Sequence, residues 1–405
     1  MRRVAWRVAS VPIAAAVFAG ALTSAPTIAA PPETTLAPVL QQTLQGDLVM
    51  AANSNLLSAG GWRADGQEIA DVDGDTSVVC LGRTFVPAAC ADNSSTARLD
   101  VPAGARIVAA RLYVDTTLPS SVRPLRVRLD GPEEGFAYTE LTAAPDSTVP
   151  KLSESVGTSA RGATPLRQAV WDVTEFVRTG GPGAYTVADI VFERAGAFLP
   201  YASWAIVAAY ELDPAADVAA MSPEQQARFA PRSVSWYDGL VVTSDATTEV
   251  PVSGFEVPVD QPVFGKTFHI VAHAQHRGAD NLLFAGQPLG NNVSPGDPPP
   301  PLGVAVGADP ACNTTTRVLD DSICVLGWAV SSKAPGATSY LAASDGRTPS
   351  SGSGVDMDVT RIPARYFVPG ATTATVALRT FGYTPVATGL LAASIDLPSP
   401  SGTTP

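Results

Sequence analysis

The chain has 405 residues, a formal net charge of -12, and 34 Gly and 36 Pro spread along its length. An acidic surface repels phosphate backbones and anionic headgroups, which argues against nucleic acid and against electrostatic membrane binding. Turn residues between short Val-, Thr- and Ala-rich runs point to an all-β fold, because few stretches escape a helix breaker for long.

Residues 1–30 read as a secretory signal peptide: Arg2, Arg3 and Arg7 precede an apolar run from Val8 to about Leu22, then small residues at Thr27 and Ala29. That run is shorter than the roughly 18–20 apolar residues of a membrane helix, and no later segment supplies one, so no transmembrane segment is expected. The expected product is secreted or extracellular, with association with the cell surface allowed.

Residues 31–44 read as a flexible mature N-terminus, and GDLVMAANSNLLS (46–58) as the first strand. An acidic turn, ADVDGD (70–75), precedes ARLDVPAGARIVAARLYVD (97–115), where Pro102-Ala103-Gly104 turns between two strands. Residues 107–114 are almost wholly apolar, as a strand covered on both faces requires. VRPLRVRLD (122–130) alternates instead, with Val127 and Leu129 opposed to Arg126 and Arg128. In WDVTEFVRTGGPGAYTVADI (171–190), Asp172 and Glu175 form a D-x-x-E capping pattern for a helical turn over 173–178. Gly180 and Gly181 stop it. Residues 185–190 alternate as a strand, and SWAIVAAYEL (203–212) is a second continuous apolar one.

Ser222-Pro223-Glu224-Gln225 opens another short helix, with Ser as cap and Pro in the first turn. A connecting helical segment over 216–231 therefore separates a first sandwich unit, 45–215, from a second, 232–397. The second unit has strands near 232–245, 249–259, 263–276, 354–359, 373–381 and 389–397. SPGDPPPPLG (294–303) forms a stiff polyproline loop, and 308–353 is irregular. Residues 398–405 resemble a linker-like tail. The fold expected is all-β, two associated antiparallel β-sandwich units of jelly-roll or Ig-like type, with one or two short helices.

Several of these segments together resemble a β-rich domain near the N-termini of large exported bacterial cell-surface proteins, often ahead of β-sandwich repeats. The motifs are GDLVMAANSNLL (46–57), DVDGD with STARLDVPAGARIVAARLYV (71–114), WDVTEFV with GAYTVADI (171–190), YASWAIVAAYE (201–211), SVSWYDGL (233–240), VDMDV (355–359) and ATTATVALRTFGYTP (371–385). The resemblance implies an extracellular β-rich surface module and carries over no established enzymatic activity.

Four cysteines fall in two close pairs, Cys80 with Cys90 and Cys312 with Cys324. In an oxidising compartment structural disulfides are expected, with local pairing preferred among the three connectivities four cysteines allow. Asp71, Asp73 and Asp75 alternate, and such carboxylates suit calcium. Thr76 and Gly82 break the helix–loop–helix pattern, so an acidic turn is the competing reading. Asp356 and Asp358 form a second alternating pair that joins such a site if the strands meet. No cofactor other than calcium is implied.

His269, His273 and His276 are the only histidines. On a strand, His269 and His273 stand about 13 Å apart, too far to share one ion. No G-x-S-x-G elbow, H-E-x-x-H helix or phosphate-binding Gly-Lys loop occurs. Trp204 and Trp236 sit among aliphatic residues as core aromatics do, whereas Trp62, in AGGWRADGQ, is the candidate ligand-binding aromatic. The reading is a secreted or cell-surface, non-enzymatic structural or adhesive β-sandwich module, with an extracellular protein or cell-wall glycan as partner. The alternative is a carbohydrate-binding protein or polysaccharide hydrolase using aromatic and carboxylate side chains.

Overall fold

A computed structural model describes residues 35–57, 68–69, 79–80, 90–91, 93–117, 125–132, 137–143, 151–159, 162–192, 202–272, 281–289, 323–325, 328–329, 355–380 and 386–398. The chain begins with the long strand β1 (Ala37–Ser54), then the short β2 (Leu56–Leu57), β3 (Glu68–Ile69), β4 (Val79–Cys80) and β5 (Cys90–Ala91). β6 (Ser94–Leu99), β7 (Ala105–Thr116), β8 (Leu125–Asp130), β9 (Thr139–Ala143), β10 (Lys151–Ser159) and β11 (Gly162–Asp172) follow. Helix α1 (Thr174–Gly180) leads into β12 (Gly183–Ala188) and β13 (Ala202–Leu212).

Helix α2 (Pro223–Ala227) lies in the connection to β14 (Pro231–Thr243). β15 (Thr247–Ser253), β16 (Gly265–Ala272), β17 (Asn281–Phe284) and β18 (Gln287–Pro288) come next. The described strands end with β19 (Ile323–Val325), β20 (Trp328–Ala329), β21 (Val355–Ile362), β22 (Thr373–Arg379) and β23 (Val386–Asp396).

Eleven strands make one central sheet, in the order β10-β11-β7-β13-β1-β14-β23-β16-β21-β19-β20. Two four-stranded sheets, β6-β12-β8-β9 and β15-β22-β17-β18, complete two sandwiches. The pairings are antiparallel except that of β19 with β21. Pro32–Pro405 cluster as one compact unit. Three cores account for this. Under β6-β12-β8-β9, Val127, Leu129, Tyr185 and Val187 pack on Leu112, Trp171, Trp204 and Ile206. Under β15-β22-β17-β18, Val250, Val252, Leu282 and Val376 pack on Ile362, Leu391 and Ile395. The third core lies within the central sheet, where Met50, Tyr113, Val170 and Val207 meet Trp236, Phe268 and Leu390.

The third core explains the apolar strands. β13 is buried along Ala202–Tyr210 because Trp204, Ile206, Ala208 and Tyr210 face one core while Ala205, Val207 and Ala209 face another. Alternation marks a strand with one wet face, so a strand covered twice reads as continuous. Ala52, Ala205, Ala209, Ala387 and Ala392 on the inner surface let the two halves of the sheet approach closely at interior packing density.

β1 joins the halves. Residues from Ala37 to Gln45 pair with β14, and residues from Gly46 to Ser54 pair with β13. The expected flexible N-terminus over 31–44 is thus corrected from Ala37 onward: Leu44 is buried, and the backbone is bonded into the second sandwich. Gln41, Gln42, Thr43 and Gln45 hid this strand, which is held by ladder bonds to β14 and by Leu44, Val39 and Leu40 packed on the core. Thr174–Gly180 is helical as expected, but Asp172 is not its cap. The cap position is Val173, without a side-chain bond, and Asp172 Oδ1 instead accepts from the Thr174 N–H at 2.9 Å. α2 has the full capping box, Ser222 with Gln225, and Pro223 in its first turn.

Candidate functional site

Among the buried polar side chains, three groups tie strands far apart in sequence. Beneath the first small sheet, Trp204 Nε1 donates to Ser95 Oγ at 2.8 Å, and Ser95 Oγ donates to Asn55 Oδ1 at 2.5 Å. Asn55 Nδ2 reaches Asn93 Oδ1 at 2.6 Å, and Asn93 Nδ2 donates to the Ile190 carbonyl at 3.0 Å. A buried amide is tolerable only when its donors and acceptors are filled, and this chain of bonds fills them. The AANSN and DNSS stretches are therefore structural.

A second group lies between the two halves of the central sheet. Arg111 Nη1 meets Asp238 Oδ2 at 2.6 Å, Tyr113 OH donates to the same oxygen at 2.8 Å, and Trp236 Nε1 donates to Tyr113 OH at 3.0 Å. Burial and the neighbouring Asp238 carboxylate push the Tyr113 phenol well above its ordinary range. Nearby, Asp115 is buried and accepts from Gln168 Nε2 at 3.1 Å. Burial raises its pKa to about 7, against the opposing effect of that bond.

The third group is centred on Asp47. Its carboxylate pairs with Lys266, receives Ser394 Oγ at 2.6 Å, and lies 3.5 Å from Arg232 Nε, which also meets Asp396 at 2.8 Å. Burial alone would raise the Asp47 pKa, but Lys266 and Arg232 reverse that and hold it below the usual carboxylate value. On the second sandwich's side, His269 and Asp358 are register partners on β16 and β21, with Nε2 and Oδ2 3.8 Å apart. Both are fully buried, and burial drops the His269 pKa to about 3, so the imidazole is neutral.

One surface groove stands apart from these interior networks. α1 docks along β7: the Val173 N–H donates to the Ala110 carbonyl at 2.9 Å, and Thr174 Oγ1 accepts from the Ala110 N–H at 2.9 Å. Arg178 bonds the Ile107 carbonyl at 3.0 Å and pairs with Glu175. Between α1, β7 and β9 lies an open cavity of about 530 Å³. Val108, Ala109, Leu129, Leu141, Val173 and Phe176 make its apolar lining, and Thr139, Asp172, Thr174 and Glu175 its polar lining. Phe176 is held from behind by Tyr185, ring centroids 6.3 Å apart. An apolar concavity with a few polar groups at its lip is suited to binding.

No family model and no curated protein matches the chain. Among solved structures, the chain is similar to the major capsid protein P2 from Bacteriophage PM2. That match has 9% sequence identity, covers 90% of this chain and 100% of that one, and has a TM-score of 0.18.

The site residues named from sequence meet different fates. Trp62, Asp71, Asp73, Asp75 and Cys312 lie outside the described residues. Asp356 and Asp358 lie on β21, where Asp358 is beside His269 and Asp356 is the register partner of Val271. Cys80 and Cys90 are register partners, whereas Cys324 is opposite Ala329 and Asp358. Trp171, Trp204 and Trp236 are buried and present no face to a sugar. No long apolar helix occurs among the described residues. Sequence reasoning missed the groove, although its signal was present: in WDVTEFV, exposed Asp172 and Glu175 alternate with buried Trp171, Val173 and Val177.

Proposed function

We propose that this chain is a secreted or cell-surface structural and adhesive module without enzymatic activity, holding binding surfaces on a rigid double sandwich. Its partner is an extracellular protein or a cell-wall glycan. One observation carries the reading: several buried charges are tied to partners across the sheets. Asp47 binds Lys266 and Ser394, and Arg111 binds Asp238, over sequence separations of 219, 347 and 127 residues. Charges so committed brace a scaffold. Catalytic acids and bases instead face a cleft, where substrate can reach them.

The test is to express the full chain with its leader in a bacterial host, then separate cytoplasm, envelope and medium. The purified protein is next mixed with isolated cell envelopes and with soluble wall polysaccharide. Export, sedimentation with envelopes and no release of reducing sugar support the proposal. Retention in the cytoplasm, or polysaccharide turnover abolished by a single Asp or Glu substitution, overturns it.

A further inference from the structure

We infer that the groove beside β9 receives an extended segment of a partner protein, added as a fifth strand to β6-β12-β8-β9 with a basic side chain facing Asp172. The inference deepens the adhesive reading and rests on it.

The first argument is the edge. Among the described residues β9 ends its sheet and pairs only with β8, so one row of its backbone N–H and C=O groups is turned away from the sheet. Such an edge is a template for another strand unless the protein blocks it. The other edges of the two four-stranded sheets carry recognisable blocks. β15 contains Pro251, which has no N–H to offer, β18 is two residues long and ends in Pro288, and β6 lies against β1. β9 has no proline and no lysine. Its single charge, Glu140, is on the outer face and pairs with Arg126 at 3.5 Å. Thr139, Glu140 and Thr142 are exposed.

The second argument is the cavity alongside that edge. In a strand laid on β9, side chains alternate in direction, and those turned inward meet Val108, Leu141, Val173 and Phe176. Backbone bonds to β9 then supply affinity, and the apolar lining selects aliphatic residues at alternate positions.

The third argument is charge. Among the described residues the cavity lining holds two carboxylates and no cation. Arg178 pairs with Glu175, Arg111 with Asp238 and Arg126 with Glu140, which leaves Asp172 as the lining carboxylate without a side-chain ion pair among the described residues. Asp172 is exposed, and its recorded hydrogen bond is with the Thr174 N–H. A cationic side chain at the α1 end of the guest is favoured and an anionic one is repelled. The same argument disfavours a second copy of this acidic chain.

The test uses the full mature chain and a short capped probe of alternating Thr and Val with Lys at both ends. A twin with Glu at both ends serves as comparison. Hydrogen exchange locates binding, and anisotropy of the labelled probes measures it. Slowed exchange at 139–143 with the Lys probe is expected, together with at least about three-fold weaker binding of the Glu twin, the size of an exposed ion pair. The variant Asp172→Asn, with melting temperature unchanged, is expected to bind both probes equally.

No protection at 139–143, or equal binding of both probes by the parent chain, overturns the inference. So does protection already present in a dimer without probe, which assigns the groove to a second copy. Protection of the same residues by wall oligosaccharide instead assigns it to a glycan. A chain that sediments with envelopes yet ignores the Lys probe loses this inference and keeps the adhesive reading. A chain that fails to sediment loses the adhesive reading itself.

Discussion

The Gln168 carboxamide lies in the space that a side chain on Gly389 would need: a Cβ there would stand 1.9 Å from Gln168 Nε2. Gln168 is on β11 and Gly389 on β23, so this contact is between the two halves of the folded central sheet. Gln168 is buried and bonded to Asp115, so its far end cannot swing aside without breaking that bond. Gly389→Ala is expected to destabilise by about 1–3 kcal/mol, the range for overpacking a closed interior. Adding Gln168→Ala should recover part of the loss, and a double-mutant cycle in urea would reveal the coupling. Additive losses would mean that the two residues do not touch.

At Gly46, where β1 changes partner from β14 to β13, the obstacle is backbone. A Cβ would stand 1.9 Å from the Tyr210 carbonyl oxygen and 2.7 Å from Glu211 Cα. Neither can give way without parting the ladder. Gly46→Ala should therefore cost more than Gly389→Ala, above about 3 kcal/mol. A smaller loss at Gly46 than at Gly389 would show that β1 can shift at its seam.

Asp115 makes stability depend on pH in an unusual direction. Its pKa is about 7 in the folded chain against 3.8 for an ordinary Asp carboxyl, and Oδ2 has no hydrogen-bond partner among the described residues. Between those values the folded state holds a proton that the unfolded state has lost. This contribution therefore falls as pH rises from about 4 to about 7, then levels off. Asp115→Asn keeps an acceptor for Gln168 and removes the buried charge. It should raise stability at pH 8 by a few kcal/mol, on the order of 4 from the size of the shift. Near pH 4 the gain should vanish. Chemical denaturation of both proteins at the two pH values checks this, and an equal gain at both would rule out ionisation as its cause.

The parts of this architecture visible in the sequence are those with a local signature. The apolar runs at 107–114 and 203–212 announce strands covered on both faces, and Ser222 with Gln225 announces a capped helix. Nothing local marks β1 before Gly46, because Gln41 and Gln42 are exposed and the segment is held by backbone bonds to β14. Nor can local pattern place Arg111 against Asp238, or Gln168 against Gly389. Such contacts depend on how an eleven-stranded sheet folds over, a property of the whole chain. The groove was half visible. WDVTEFV showed the acidic side of a short helix, but β9 and Leu141 reach it only through the small sheet.

Tyr113 bridges Trp236 and Asp238, which makes its hydroxyl hard to replace. In Tyr113→Phe the Trp236 N–H loses its acceptor, and Asp238 keeps Arg111 but loses a donor. Leaving buried polar groups unpaired costs about 1–3 kcal/mol. The variant should unfold at correspondingly lower denaturant concentration, and its tryptophan emission should change because the environment of Trp236 does. Full stability together with an unchanged emission spectrum would remove the bridge from the account.

Cys80 and Cys90 are directly opposed in the β4–β5 ladder. Opposed residues of an antiparallel pair have Cα atoms about 4.5–5.5 Å apart, within the roughly 4.4–6.8 Å that a disulfide spans. The backbone thus favours the local pairing over one joining Cys80 to Cys312 or Cys324. For so short a loop the bond should contribute about 2.5–3 kcal/mol through the unfolded state. Non-reducing peptide mapping of protein prepared under oxidising conditions should find Cys80 linked to Cys90, and Cys80→Ala with Cys90→Ala should lower stability by about that amount. A long-range link would mean that the β4–β5 ladder is not the arrangement oxidation captures, and would tie the two sandwiches covalently as well as through β1.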